Sequence, residues 1–135
     1  MAGADAPATT SMQVFGIHMG RAFQIHDDIQ GIWGDTERTG KEPAGDLLNR
    51  KKTLPTILAS TKAGLQDRKL LDAFFAHETD DIDGVITAFN RLGVRQMAAA
   101  RAAEELSTAA SALVAAGLGS EGCRTLQNIA EELAG

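Results

Sequence analysis

The stretch Phe23-Gln24-Ile25-His26-Asp27-Asp28-Ile29-Gln30-Gly31-Ile32-Trp33-Gly34-Asp35 decides how this sequence reads. Together with Val14 and Ile17 upstream, its residues Phe23, Ile25 and Ile29 return at near-helical spacing, which predicts a helix from about Ser11 to Trp33. Gln24, Asp27, Asp28 and Gly31 stand at i, i+3, i+4 and i+7, so they share one helix face. Two adjacent ionised carboxylates on an otherwise apolar helix repel each other. A bound cation relieves that repulsion, and hard oxygen ligands at a site open to phosphate oxygens suit Mg²⁺.

Downstream, Gly34, Gly40, Pro43 and Gly45 mark a loop that also carries Thr39-Gly40-Lys41. A second helix is expected from near Asp46, whose carboxylate suits a cap or a first turn, toward Ala63. Pro55 lies within that span, so the helix either starts again there or kinks. Lys51-Lys52-Thr53-Leu54-Pro55 leads into it. Lysines close to a Mg²⁺–carboxylate site complete a pocket for a diphosphate, and such a pocket acts by electrostatic preorganisation.

The rest of the chain reads as helices. Asp67 to Ala76 has an apolar face of Leu70, Leu71, Phe74 and Phe75, and Asp80 to Leu92 has Ile82, Val85, Ile86 and Phe89. The acidic run Asp80-Asp81-Ile82-Asp83 fits a helix start, where it complements the dipole. After Gly93, an alanine-rich helix is expected over Val94 to Ala116, ended by Gly117 and Gly119. Ser120 then caps a last helix with Cys123, Leu126, Ile129, Ala130 and Leu133 inward. Gly16 and Gly20 in the first helix suggest close approach by another helix. Glu104-Glu105 reads as a solvated face. With no convincing strand or repeat, the fold class is all-α, a helical bundle.

Composition narrows the function. The 135 residues are 44% hydrophobic and 23% charged, as in an ordinary globular protein, and carry a net charge of -5. No basic stripe emerges, which argues against a nucleic-acid partner. No apolar run approaches the roughly 20 residues of a transmembrane segment. Cys123 is the one cysteine, which precludes an intrachain disulfide and fits a reducing, cytoplasmic setting. Residues 1–10 show no signal-peptide pattern and read as a flexible lead-in, leaving 11–135 as the helical part.

Taken in order, Phe-Gln-x-x-Asp-Asp at 23–28, Gly34-Asp35, Thr39-Gly40-Lys41, Asp46 and Lys51-x-Thr53-Leu54-Pro55 resemble the second aspartate-rich region of trans-type polyprenyl (isoprenoid) diphosphate synthases. Bacterial geranylgeranyl diphosphate synthase-like proteins are similar. The resemblance covers roughly Met12 to the C-terminus, as the C-terminal half of such an enzyme. It implies part of the all-helical isoprenoid-synthase fold around a deep cavity, and Mg²⁺-dependent transfer of an allylic prenyl group to isopentenyl diphosphate.

By position, Asp27 resembles the main Mg²⁺ ligand of the second motif, and Asp28 a partner that acts through that ligand or through a water. Lys41 and Lys51 resemble the diphosphate-binding lysines. Gln24 resembles the glutamine near the allylic chain and metals, and Phe23 a cavity wall. Gly31 departs from the pattern, since many relatives have a third aspartate there. The first aspartate-rich motif and the arginines that hold isopentenyl diphosphate have no counterpart here. The resemblance therefore implies either a partner supplying that half, from a second chain or the same gene product, or a non-catalytic accessory or remnant module. An uncovered apolar helix face further suggests an oligomer.

Overall fold

The structure, a computed structural model, describes residues 2–34 and 44–117, together with 121–122, 124–125, 128–129 and 132. The helices are α1 (Ala2–Trp33), α2 (Gly45–Leu48), α3 (Leu54–Lys62), α4 (Leu65–Phe75), α5 (Ile82–Leu92) and α6 (Val94–Ala115). The described residues contain no strand, so the all-α expectation holds. Among them, no helix is long and apolar enough to cross a membrane.

The helix starts and stops follow local chemistry. Helix α1 begins at Ala2, further back than the sequence pattern suggests. Pro55 restarts a helix rather than kinking one. It occupies the first turn of α3, where its missing N–H leaves no intrahelical bond unmade. Asp81 caps α5 by accepting a hydrogen bond from the Gly84 N–H at 3.0 Å. Gly93 closes α5 at φ 72°, a left-handed conformation that glycine adopts without a Cβ penalty.

The chain divides into two units, Asp27–Ala99 and a second made of residues 1–26 and 100–135. In the first, the core gathers Ile32, Leu47, Ala59, Leu71, Phe74, Val85, Phe89 and Val94. Trp33 packs its ring 6.3 Å from that of Phe89 and donates its indole N–H to Asn90 Oδ1 at 2.9 Å. A partly buried indole is thereby packed and hydrogen-bonded at once. Arg91 and Asp67 pair at 2.5 Å, tying α5 to α4.

In the other unit, Met19, Ala109 and Leu113 form a smaller cluster with Phe15, Leu106 and Ala110 against it. Glu105, expected on a solvated face, instead pairs with His18 Nδ1, with the two side chains 15% and 22% exposed. Gly16 and Gly20, read as points of close helix approach, show no such neighbour among the described residues. A Cβ on either would meet nothing within 4 Å among the described residues. Cys123 and most of the expected last helix fall outside the described residues.

Candidate functional site

Asp27 and Asp28 are adjacent on α1, and the helix sends them to different environments. Asp27 is exposed, whereas Asp28 is buried. Asp28 Oδ2 accepts a hydrogen bond from the Leu54 backbone N–H at 3.2 Å. Leu54 is the first residue of α3, and its N–H is among those a helix leaves unpaired. Thr53, at the N-cap, makes no side-chain capping bond. The Asp28 carboxylate therefore takes the place of a local cap and lies where the helix dipole favours an anion. One consequence is geometric: the aspartate pair and the Lys51-Lys52-Thr53-Leu54-Pro55 segment are held together.

Gly31 reveals a third carboxylate. A Cβ built on Gly31 would lie 2.0 Å from Asp46 Oδ2 and 2.4 Å from its Cγ. The Asp46 side chain thus fills the space that a side chain at position 31 would need. Position 31 is one turn beyond Asp27 on the same helix, so Asp46 delivers a carboxylate where the helix itself carries none. Asp46 was expected only as a cap or first-turn anion, and it does lie in the first turn of α2. Its seat on α1 leaves a faint sequence signal, the glycine in place of an acid at position 31.

Lys51 and Lys52 are both exposed, in the extended residues that precede α3. The Thr53 hydroxyl is buried and has no hydrogen-bond partner among the described residues. Phe23, 50% exposed, and Gln24, also exposed, belong to the other unit. Lys41 and Asp35 lie outside the described residues.

The donors in the Asp27–Ala99 unit are hard oxygens. No three His, Cys, Asp or Glu among the described residues converge as a ready-made metal shell. Mg²⁺ does not ask for one, since it is held mostly through one or two carboxylates, waters and substrate phosphates. Carboxylates at Asp27 and Asp46 are the hard oxygen donors that suit that mode of binding.

Comparison with known proteins gives the family. The polyprenyl synthetase family model matches residues 1–92. A (2E,6E)-farnesyl diphosphate synthase of Mycobacterium tuberculosis is 32% identical over 96% of this chain and 38% of its own. A geranylgeranyl diphosphate synthase from the same organism is 34% identical over 84% of this chain and 33% of its own. A polyprenyl synthetase from Streptomyces coelicolor A3(2) superposes with a TM-score of 0.78 at 28% identity, covering 93% of this chain and 40% of that one. The chain belongs to the polyprenyl synthetase family, and it spans about two fifths or less of the length of these relatives.

Proposed function

We propose that this chain provides the second aspartate-rich, Mg²⁺- and diphosphate-binding part of an enzyme of isoprenoid biosynthesis. The reaction transfers an allylic prenyl group to isopentenyl diphosphate. The observation that carries the reading is the Asp28–Leu54 hydrogen bond, which brings the carboxylate helix and the lysine-bearing segment to one place. Family membership and the farnesyl and geranylgeranyl diphosphate synthases among its relatives support the same reaction class.

In this reading the C–O bond of the allylic diphosphate breaks and the diphosphate leaves with the electron pair. The alkene of isopentenyl diphosphate attacks the allylic cation, and a proton is then lost. When bound, Mg²⁺ supplies positive charge to the departing diphosphate. Asp27 and Asp46 hold that cation. Lys51, with Lys41, binds the diphosphate oxygens and stabilises their growing charge. Asp28 keeps Asp27 and Lys51 in register through Leu54. Gln24 and Phe23 take their place near the prenyl chain from the family resemblance alone. The first aspartate-rich motif and the isopentenyl-diphosphate site come from further sequence, in the same protein or a partner chain.

The alternative is an accessory or remnant module that binds diphosphate or a partner without turnover. Mixing the chain with the N-terminal portion of a related synthase separates the two. The enzymatic reading expects Mg²⁺-dependent formation of a longer prenyl diphosphate, lost with Asp27→Ala. A folded, associated mixture with no product supports the accessory role.

A further inference from the structure

Arg50 has a geometry that neither the fold nor the carboxylate site requires. It follows α2 with φ 50°, in the left-handed region. Its N–H bonds to the Leu47 carbonyl at 2.9 Å, and the Lys51 N–H bonds to the Asp46 carbonyl at 2.8 Å. This pair of bonds closes a helix end, and the left-handed position within it ordinarily belongs to glycine. An arginine there is strained in its backbone.

Its side chain is anchored through Nε and Nη2. Nε donates to the Phe74 carbonyl at 3.0 Å, and Nη2 donates to the Thr79 carbonyl at 3.1 Å and to Asp80 Oδ1 at 2.6 Å. The guanidinium also lies 4.5 Å from the centroid of the Phe74 ring. The side chain is 14% exposed. These contacts span the end of α4 and the approach to α5. The planar, forked guanidinium serves separate acceptors that a lysine ammonium cannot match.

The anchored residue sits directly before Lys51 and four residues before Leu54, which binds Asp28. We propose that Arg50 is a positioning residue. It fixes the Arg50–Leu54 segment to the α4–α5 connection and so aims Lys51 at a bound diphosphate. This inference rests on the diphosphate-binding reading above.

Calorimetric titration of the chain with inorganic diphosphate in the presence of Mg²⁺ tests it, alongside the melting temperature of the ligand-free protein. Arg50→Gly suits the left-handed backbone and removes the anchor. It is expected to fold and to weaken diphosphate binding by roughly tenfold or more, the size of loss that small misplacements of a binding group produce. Arg50→Lys keeps the charge but loses the fork, and is expected to weaken binding similarly. A purely structural Arg50 would lower the melting temperature while the folded protein kept its affinity.

Binding by Arg50→Gly within about twofold of wild type, while Lys51→Ala loses it, overturns the inference and leaves the site reading intact. If Arg50→Gly fails to fold, Arg50→Lys decides by the same criterion. If the wild type fails to bind, or Lys51→Ala binds as well as it does, the site reading fails and the inference with it.

Discussion

Asp28 Oδ2 and the Leu54 backbone N–H meet at 3.2 Å, joining two segments 26 residues apart in sequence. The bond is part-buried, is made to a carboxylate, and satisfies a helix-end N–H that has no capping side chain.

Asp28→Ala leaves the Leu54 N–H without this acceptor and is expected to cost about 1.5–3 kcal/mol of stability. Asp28→Asn keeps an oxygen acceptor but loses the charge, and is expected to cost less. Urea unfolding midpoints of the two variants check the order. Equal midpoints for wild type and Asp28→Ala would remove the bond from the account.

Gly31→Ala places a methyl where the Asp46 carboxylate sits, at 2.0 Å from Oδ2. The carboxylate can rotate away, and alanine gains about 0.8–1.0 kcal/mol over glycine within a helix. Net stability should therefore change by less than about 1 kcal/mol. A double-mutant cycle with Asp46→Ala should show coupling of at least roughly 0.5 kcal/mol, as expected for groups in contact. Strict additivity would contradict the seating of Asp46 on α1.

Lys51 and Lys52 are both exposed, yet only Lys51 is given a role in diphosphate binding. Lys51→Ala should weaken binding of Mg²⁺–diphosphate roughly tenfold or more, the worth of a hydrogen bond to a charged group. Lys52→Ala should stay within about twofold of wild type. Titration calorimetry on the two variants separates them, and the reverse order would move the site.

Asp81→Ala removes the side chain that caps α5 through Gly84. It should cost about 1 kcal/mol, a typical loss for an N-cap, without altering ligand affinity. Thermal unfolding followed by circular dichroism measures it. An unchanged melting temperature would mean that water caps the helix equally well.

Much of this fold was legible in the sequence because the signals are local. The Asp27–Asp28 helix, the break at Pro55, the acidic start at Asp80–Asp83 and the Gly93 stop all rest on periodicity or on one residue's backbone preference. The site was legible only in part. Gly31 looked like a missing carboxylate, because the acid that fills its place comes from Asp46, fifteen positions on, beyond the reach of any local rule. Arg50 was missed for a related reason. A left-handed helix end usually announces itself by glycine, and here an arginine adopts it with support from Phe74, Thr79 and Asp80. Glu105 was read as solvated because its partner, His18, lies 87 residues away.

The most direct test is the melting temperature of the chain with Mg²⁺ and inorganic diphosphate, on wild type and on Asp27→Ala. At a hundredfold excess over Kd, a ligand that binds only the folded state adds about 2.7 kcal/mol, a rise on the order of 10 °C for a chain of this size. The account predicts that rise in the wild type, dependent on both Mg²⁺ and diphosphate, and its loss in Asp27→Ala. An equal rise in both proteins, or none in either, would contradict a metal–diphosphate site at Asp27.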